Sequence, residues 1–230
     1  MGRSEPTDPV LIGIVTGVQA EADALFVGQG TAESQGALSI RTVADSGVVI
    51  ACAGIGKVSA TLAATWLAER YGVTTLMVVG TAGALRPCHG PHWLSGAIQH
   101  DFGARRADGF VRYTAGSWPI GEAQLETFAA LPKPIGLELP QAIIASGDAF
   151  IECGTHAAEI ATSLGASLID METAAVAQVA AMLGLPWCGI KGPTDDANGD
   201  SAGDFQANLA AAARASADAA ERAMSLMKRC

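Results

Sequence analysis

The sequence has few positive charges and no long uncharged apolar stretch. Its 230 residues include 14 Lys and Arg against 23 Asp and Glu, so the formal net charge is −9. Proteins bind a nucleic-acid backbone through clustered Lys and Arg, and the cluster of Arg105, Arg106 and Arg112 is too small to offset this charge. No run of about 18 uncharged apolar residues could span a bilayer. We therefore expect neither a nucleic-acid nor a membrane partner.

Signals for disulfides, metals and secretion are also missing. The five cysteines are odd in number and widely spaced, without a Cys-x-x-Cys pair. His89 and His92 lie three residues apart in a Pro/Gly-rich loop, a spacing that fits a metal pair but is more typical of a solvated turn. We expect no metal and no cofactor. The polar segment 1–9 lacks the apolar core of a signal peptide and predicts a flexible start of a cytoplasmic protein.

Short apolar runs rich in β-formers alternate with alanine-rich stretches along the chain. Strands are predicted at 10–15, 48–53, 75–79, 142–145, 166–169 and 187–190, a hairpin region at 27–49, and helices at 59–71, 174–183 and 209–228. This alternation predicts an α/β fold, a three-layer αβα sandwich around a mostly parallel, mixed central sheet. The length suits a single domain over residues 1–230. Segment 86–140, rich in Gly, Pro and aromatics, shows no clear pattern.

A Met-Glu pair, Met171-Glu172, lies where a predicted strand passes into a helix of small residues. Ligands of open α/β folds bind beyond the carboxyl ends of strands, so an acidic side chain there could hold a hydroxylated ligand. The alternative is that Glu172 only stabilises the first turn of the helix through the helix dipole. A buried carboxylate needs a partner under either interpretation.

Two further acids follow other predicted strands. Asp195 comes after the strand at 187–190, where Gly192 and Pro193 predict an irregular loop. Glu21 lies near the start of a helix that begins around residue 20. Three carboxylates from three strand-to-helix junctions suit acid/base chemistry, with solvated loop acids as the alternative. Since no Gly-x-Ser-x-Gly elbow is present, a covalent acyl mechanism lacks support.

Glycine-containing turns follow four of the predicted strands and could bring backbone amides close to a polar ligand. None of them is a Walker sequence or a complete dinucleotide fingerprint, so a nucleotide cofactor is not indicated. They lie at residues 13–17, at Gly54-Ile55-Gly56-Lys57, at Gly80-Thr81-Ala82-Gly83, and at Ser146-Gly147-Asp148.

In these motifs the sequence resembles the nucleoside phosphorylase/nucleosidase superfamily, and most closely its 5′-methylthioadenosine/S-adenosylhomocysteine nucleosidases. The resemblance runs from about residue 11 to Phe205. It rests on six motifs in the family's order: Ile12-Gly13-Ile14-Val15 with Glu21, Ala53-Gly54-Ile55-Gly56-Lys57-Val58, Gly80-Thr81-Ala82-Gly83-Ala84-Leu85, Ser146-Gly147-Asp148-Ala149-Phe150-Ile151, Asp170-Met171-Glu172-Thr173-Ala174-Ala175-Val176-Ala177, and Thr194-Asp195 with Phe205. Each motif alone is weak, whereas six in order are specific.

The resemblance implies a purine nucleoside N-ribosyl hydrolase that releases adenine from 5′-methylthioadenosine or S-adenosylhomocysteine, with water as co-substrate. Asp195 would protonate N7 of the purine as general acid, and Glu21 would position and deprotonate the attacking water. The other implied contacts are Glu172 on the ribose hydroxyls, Met171 against the sugar, Thr81 on the sugar or water, Thr194 beside the general acid, Phe150 stacked on the base, Ile151 at the base edge, and Phe205 closing the purine pocket. Tyr113 and Pro119 would reach the pocket of the other subunit in a homodimer.

Other activities remain open at this point. The phosphorylases of the superfamily hold phosphate with arginines near the first glycine turn and before Gly80, where this chain has no Arg or Lys. Hydrolysis is therefore favoured, although backbone amides and Lys57 leave phosphorolysis possible. The family commonly has an Arg four residues before the general acid. At that position this chain has Lys191, which keeps the positive charge but lacks the planar guanidinium group. A hydrolase of another nucleoside, such as a futalosine-like compound, and a non-catalytic nucleoside-binding protein are the remaining alternatives.

Overall fold

A computed structural model describes residues 11–228 of the chain, so the prediction for residues 1–9 falls outside the described residues. It contains five α-helices and a short 3-10 helix at Ala44–Ser46. The helices are α1 Gln19–Ala24, α2 Lys57–Tyr71, α3 Gly154–Leu164, α4 Thr173–Leu183 and α5 Ser201–Met227. The strands are β1 Ile12–Thr16, β2 Thr31–Gln35, β3 Leu38–Val43, β4 Val48–Cys52, β5 Thr75–Ala84, β6 His92–Gln99, β7 Gly103–Arg106, β8 Gly109–Arg112, β9 Phe128–Ala129, β10 Gln141–Ser146, β11 Leu168–Asp170 and β12 Trp187–Asp195.

The main sheet is mixed, and its strands follow the order β11-β10-β6-β12-β5-β1-β4-β3-β2. The central neighbours β4, β1, β5 and β12 are parallel, whereas β2 and β3 extend the sheet as an antiparallel hairpin. At the other side β11 pairs with β10 and also, antiparallel, with the last residues of β5. The sheet therefore curls back on itself around the second half of β5.

Alternate residues of the central strands pack against helices on opposite faces of the sheet, as the two-residue period of a strand requires. Leu76 and Val78 of β5 lie in one apolar cluster with α2 and α4. Met77 and Val79 lie in a second cluster with α1 and α5. A third cluster packs α3 beside β10 and β11. The predicted three-layer α/β fold with a mixed central sheet is confirmed.

Two sequence predictions were wrong because glycine and proline were taken as ends of strands. Strand β5 continues through the predicted turn Gly80-Thr81-Ala82-Gly83 to Ala84. Strand β12 continues through Gly192 and Pro193, so Asp195 ends a strand instead of lying on an irregular loop. The ladder between β12 and β5 shifts its register between Pro193 and Asp195, which accommodates a proline that cannot donate a hydrogen bond.

The segment without a clear pattern, 86–140, contributes β6 and β9 to the main sheet and forms the separate β7–β8 hairpin. Its strands escaped prediction because they are short or are interrupted by glycines such as Gly96 and Gly103, whose lack of a side chain lets neighbouring residues approach closely. Within residues 11–228, no helix is both long enough and apolar enough to cross a membrane.

Candidate active site

A cavity of about 380 Å³ lies where the predicted motifs converge. It is bounded by the ends of β1, β10, β11 and β12 and by the second half of β5. This is the position that open α/β folds use for ligands, because side chains and free backbone amides meet beyond the strand ends. The lining consists of Gly17, Val18, Glu21, Ile55, Thr81, Ala82, Gly83, Ala149, Phe150, Ile151, Ile169, Asp170, Met171, Glu172, Thr194, Asp195, Ala202, Phe205 and Gln206.

The Glu21 carboxylate is buried and accepts four hydrogen bonds. The amides of Gly17 and Val18 donate to Oε2 over 2.9 and 3.2 Å, and Thr81 donates to Oε1 from its amide over 2.7 Å and from its hydroxyl over 2.8 Å. A carboxylate has about four lone-pair positions, so these donors fix its orientation fully. Glu21 is therefore a preorganised acceptor at the wall of the cavity.

Glycine at position 80 is required for this arrangement. A Cβ there would lie 2.4 Å from Glu21 Oε1, which is inside van der Waals contact. The motif that the sequence suggested as a turn is thus a strand segment that leaves room for a buried carboxylate.

Glu172 is the N-cap residue of α4, but its side chain does not cap the helix. The first amides of α4 are satisfied by other groups: Thr173 donates to Asp170, and Ala174 donates to Ser146 Oγ over 2.9 Å. Glu172 makes no side-chain cap hydrogen bond. Its carboxylate instead lines the cavity, and the interpretation of Glu172 through the helix dipole stays an alternative for its role.

The partners of Glu172 are the amide of Gly56, which donates to Oε1 over 3.0 Å, and the buried ammonium of Lys191, 3.7 Å from Oε2. Lys191 lies closer to Asp170 Oδ2, at 3.0 Å. Burial raises the pKa of Glu172 to about 7; the carboxylates of Asp170 and Glu21 add to this shift, while Lys191 and the Gly56 amide oppose it. For Lys191, burial lowers the pKa, but the surrounding carboxylates outweigh burial and raise it. The Lys191 ammonium thus interacts with more than one buried carboxylate.

Asp195 ends β12 with both carboxylate oxygens oriented. Oδ1 accepts the amide of Ala197 over 3.0 Å, and Oδ2 lies 2.9 Å from the hydroxyl of Thr194. Ala197 has a positive φ of 49°, a conformation that alanine rarely adopts. The turn after β12 therefore bends sharply enough to direct a backbone N–H back onto Asp195.

The acids contact β5 at different points. Glu21 lies against Gly80, and Asp195 Oδ1 would be 3.1 Å from a Cβ at Gly83. Three residues of extended strand span about 10 Å. The two carboxylates therefore contact β5 at well separated points.

One end of the cavity is apolar and aromatic. Phe150 and Phe205 meet edge to face, with ring centroids 6.3 Å apart and an interplanar angle of 76°. Ile151 and Met171 also line the cavity. A flat heteroaromatic base would stack favourably on such a wall.

The structure brings all but two of the predicted site residues into this cavity. Tyr113 is buried with 2% of its surface exposed, and its hydroxyl donates to the carbonyl of Gly121 over 2.7 Å. Pro119 is half-buried in the following loop, and neither residue lines the cavity of its own chain. At 2% exposure Tyr113 has little surface to offer a second subunit.

Several functional positions escaped the sequence reasoning. Asp170 was seen only as part of a motif, yet it both caps α4 and binds Lys191. Ile55 lines the cavity from the turn between β4 and α2; its apolar side chain between two glycines was the available signal. Gln206 lies one residue after Phe205 on α5, and nothing in the sequence distinguished it.

The cavity lining contains no Lys, Arg or His. Lys57, which kept phosphorolysis open, points its ammonium at Asp101, 2.7 Å from Oδ1, and at Asp148, 3.9 Å from Oδ2. Nor does the described part of the chain contain a group of three or more His, Cys, Asp or Glu arranged to hold a metal ion.

Comparison with known proteins assigns the family. Residues 11–225 match the model of the Phosphorylase superfamily. The chain belongs to this superfamily. The resemblance seen in the six sequence motifs is confirmed.

Relatives of this chain include nucleosidases. The chain is 30% identical over 211 residues to the 5′-methylthioadenosine/S-adenosylhomocysteine nucleosidase of Mycobacterium bovis, covering 80% of this chain and 83% of that one. The enzyme of the same name from a Shewanella species is 28% identical over 221 residues, covering 86% and 89%.

Solved structures of superfamily members share the fold. The nucleosidase of this name from Helicobacter pylori has a TM-score of 0.81 at 22% identity, covering 96% of this chain and 99% of that one. The futalosine hydrolase of Helicobacter pylori has a TM-score of 0.76 at 23% identity, covering 94% and 97%.

Proposed function

We propose that the chain hydrolyses the N-glycosidic bond of purine nucleosides, with 5′-methylthioadenosine and S-adenosylhomocysteine as substrates and free adenine as product. The observation that carries the proposal is one cavity that combines three buried carboxylates, Glu21, Glu172 and Asp195, with an aromatic wall and no cationic lining. The enzyme class, an N-glycosyl hydrolase, was predicted from the sequence and is confirmed by the nucleosidase relatives. The identity of the nucleoside is the proposed part.

The geometry supports a different role in the reaction for each of the three carboxylates. Asp195, oriented by Ala197 and Thr194, donates a proton to the purine and makes it a better leaving group. Departure of the base leaves positive charge on the ribose, which the Glu172 anion stabilises while it accepts hydrogen bonds from the hydroxyls. Glu21 orients a water through the Thr81 hydroxyl, which passes its proton to the carboxylate and takes one from the water as the new C–O bond forms. Asp195 thus serves as the proton donor, Glu172 as the stabilising anion and Glu21 as the proton acceptor.

Hydrolysis is favoured over phosphorolysis by charge. A phosphate dianion entering this cavity would meet four acids, Glu21, Asp170, Glu172 and Asp195, and no cationic lining residue. Lys57 is held by Asp101 and Asp148, and Lys191 is buried behind Asp170 and Glu172. Because phosphate binding relies on charge-assisted hydrogen bonds, water is the better-suited nucleophile.

A panel of nucleosides assayed with and without phosphate tests the proposal. The panel contains 5′-methylthioadenosine, S-adenosylhomocysteine, adenosine, inosine and a futalosine-type nucleoside, and the free base is measured. We expect adenine release from the first two substrates in phosphate-free buffer, with a free sugar as co-product. Turnover that requires phosphate and yields a sugar 1-phosphate would contradict hydrolysis, and preferential cleavage of the futalosine-type nucleoside would contradict the proposed substrates.

The same assay separates an enzyme from a nucleoside-binding protein. Asp195→Asn removes the proton donor while keeping the shape of the side chain, so we expect it to abolish most turnover while nucleoside binding persists. Binding of nucleosides by the wild-type protein without cleavage of any panel member would select the non-catalytic alternative. Wild-type rates in the variant would remove Asp195 from the mechanism.

We also propose that the chain acts as a homodimer. Ile55 lines the cavity and is 54% exposed, and Val58 and Leu62 continue from it along one face of α2, with Val58 82% exposed. An exposed apolar stripe that begins at the opening of a binding site is typical of a surface that contacts another protein. A second copy seated there would shield the open side of the cavity from water.

A further inference from the structure

Two loops on either side of the cavity are joined by charged residues that lie outside it. The first loop, residues 53–56, connects β4 to α2 and contributes Ile55 to the lining. The second, residues 147–153, connects β10 to α3 and contributes Ala149, Phe150 and Ile151. Three residues join the loops: Lys57, Asp101 and Asp148. We call this group the loop clasp, and none of its members lines the cavity.

The loop clasp is a closed ring of interactions. The Lys57 ammonium donates to both oxygens of Asp101, over 2.7 and 2.8 Å. Asp101 Oδ2 in turn accepts the amide of Asp148 over 2.9 Å, and Asp148 Oδ1 accepts the amide of Lys57 over 2.8 Å. The first residue of α2 and the second loop thus each present a backbone amide to a carboxylate, and the ammonium of Lys57 completes the ring.

Two glycines make the close approach possible. A Cβ at Gly147 would lie 2.4 Å from His100 Nε2 and 2.9 Å from Asp101 Cγ, so the second loop rests directly on the end of β6. Gly56 has a φ of 102°, which favours glycine, and a Cβ there would lie 3.1 Å from Asp148 Oδ1. The backbone is therefore shaped for this contact on both sides.

The loop clasp is linked to the site through one residue on each loop. The amide of Gly56, next to Lys57, donates to Glu172 Oε1 over 3.0 Å. Phe150 follows Asp148 by two residues and forms part of the aromatic wall. A shift of either loop would therefore move a donor to the ribose-binding carboxylate or the ring that stacks on the base.

The side chains of Lys57 and Asp101 are only 21% and 27% exposed, so solvent screens the pair less than a fully exposed one. Burial of Asp101 by itself raises its pKa, but hydrogen bonds from Lys57 and from the Asp148 amide outweigh burial and lower the pKa. The lowered pKa favours the anionic form of Asp101.

We propose that Lys57, Asp101 and Asp148 are positioning residues, which hold the two loops so that Glu172 and Phe150 are in place when the nucleoside binds. The inference rests on the proposed function, because it assigns ribose and base to these two residues. The loop clasp contacts neither Asp195 nor Glu21, so its loss leaves the proton transfers in place and acts through Phe150 on substrate binding and through Glu172 on binding and on stabilisation of the ribose charge.

The variants Lys57→Met and Asp101→Asn test the proposal, with Lys57→Arg as the conservative rescue. Asp218→Asn is the matched control, because it removes an ion pair with Arg214 on α5 and neither partner lines the cavity. For 5′-methylthioadenosine we expect Lys57→Met and Asp101→Asn to raise KM about tenfold through the displaced Phe150, and to lower kcat as well, because Glu172 also stabilises the transition state. The double variant should be no worse than either single variant, because the two residues form one unit.

Salt provides a readout that a merely structural role would not give. The nucleoside 5′-methylthioadenosine is neutral, so salt acts on its KM through the charges of the protein. Between about 0.1 M and 1 M salt the Debye length falls from about 10 to 3 Å. We expect the wild-type KM to rise over this range and the KM of Lys57→Met to stay constant.

Amide hydrogen exchange separates this inference from the proposed function. Exchange at Gly56, Lys57 and Asp148 should be faster in Lys57→Met and Asp101→Asn than in the wild type and in Asp218→Asn. Unchanged exchange, or an unchanged KM in both loop-clasp variants of an active enzyme, would overturn the loop clasp. If the wild-type protein cleaves no nucleoside, the proposed function fails, while the exchange rates still decide whether the loop clasp holds the loops. Should Lys57→Met not fold, the nearly isosteric Asp101→Asn carries the test.

Discussion

Glu172 is the buried acid whose ionisation the site has to support. Its carboxylate faces one ammonium, Lys191, one amide donor, Gly56, and the acids Asp170 and Glu21. Burial is the largest cause that raises its pKa to about 7. Below that pH the side chain is predominantly neutral, and above it predominantly an anion. In the proposed mechanism only the anion stabilises positive charge on the ribose, so we expect activity to depend on this equilibrium.

The first prediction is that kcat/KM rises with pH through about 7 and then levels off as Glu172 ionises. In Glu172→Gln the side chain is neutral at every pH, so kcat/KM should be low and this rise should disappear. The measurement is kcat/KM between pH 5 and 9 with a neutral nucleoside substrate. A Glu172→Gln variant that keeps the wild-type rise would assign it to another group.

The same pKa predicts the pH dependence of stability. An acid whose pKa is 4.5 when unfolded and about 7 when folded disfavours the folded state once it ionises. The free energy of unfolding should therefore fall as pH rises from 4.5 to 7, by at most about 3 kcal/mol. Glu172→Gln should lack this fall and be more stable than the wild type at pH 8 but not at pH 4. Urea denaturation at both pH values measures the difference, and a parallel decline in the two proteins would contradict it.

Among the hydrogen-bond donors to Glu21, the Thr81 hydroxyl is the one that a substitution can remove. Three of the four donors to that carboxylate are backbone amides, and the fourth is the Thr81 hydroxyl, which can rotate. A hydroxyl can accept a hydrogen bond from water while it donates to a carboxylate. The hydroxyl is thus the group through which a water is best placed to reach Glu21.

We expect Thr81→Val to lower kcat on the order of 10²-fold, because it keeps the shape of the side chain but removes this link. Thr81→Ser retains the hydroxyl and serves as the control, with activity close to that of the wild type. Single-turnover measurements of base release would separate the chemical step from product release. Equal rates for Val and Ser at this position would mean that the water contacts Glu21 directly.

At the scale of the element, β5 is the strand that spaces the acids. Its residues Gly80 and Gly83 lie in the middle of a hydrogen-bonded strand, where glycine is unfavourable by itself. Both are adjacent to a carboxylate with a proposed catalytic role, Glu21 at one and Asp195 at the other. The two glycines therefore lower the local stability of the strand but leave space for the carboxylates beside it.

The prediction for this element is that Gly80→Ala disables the enzyme without unfolding it. The added Cβ would lie 2.4 Å from Glu21 Oε1, and four hydrogen bonds prevent that carboxylate from moving aside freely. We expect kcat to fall about 10²-fold from misplacement of Glu21. Gly154→Ala is the control, since a Cβ at that helix position meets nothing within 4 Å. Normal activity of Gly80→Ala would show that Glu21 tolerates displacement.

The elements also show how much the sequence could predict. Strands β1, β4 and β11 and helices α2 and α4 were predicted within a few residues, because their apolar periodicity and terminal glycines act locally. The continuation of β5 through Gly80 and of β12 through Pro193 was not predictable. Those residues are tolerated because of distant partners, Glu21 in one case and a shifted ladder with β5 in the other.

The candidate site followed from the sequence in its residue types but not in its connections. Glu21, Glu172 and Asp195 each follow a strand, which local pattern reveals. That Glu172 takes its hydrogen bond from Gly56, 116 positions away, depends on the parallel sheet bringing strand ends together. The same is true of Lys191, whose pairing with Asp170 follows from the order of the strands. Long-range contacts of this kind leave no mark on local sequence.

At the scale of the molecule, the open side of the cavity raises the question of what excludes water. Desolvation strengthens the interaction of Glu172 and Asp195 with developing charge, and an open cavity would weaken it. Ile55, Val58 and Leu62 form an apolar stripe on α2 that starts at this opening. Assembly and activity are therefore coupled in the proposed homodimer.

Val58→Lys tests this coupling, because it places a charge on the stripe at a side chain that is 82% exposed in the single chain and does not line the cavity. Within one chain the substitution leaves packing intact, so folding and thermal stability of the subunit should be preserved. Burial of the ammonium against a second copy would be costly, so the dimer should dissociate and kcat/KM should fall as the dimer is lost.

Leu183→Lys is the control: it adds the same charge at a side chain that is 41% exposed on α4 and lies outside the stripe. Sedimentation velocity and kcat/KM measured over the same range of protein concentrations report both quantities. A Val58→Lys protein that is monomeric and fully active would separate assembly from catalysis, whereas a wild-type protein that is monomeric at all concentrations would rule out the homodimer.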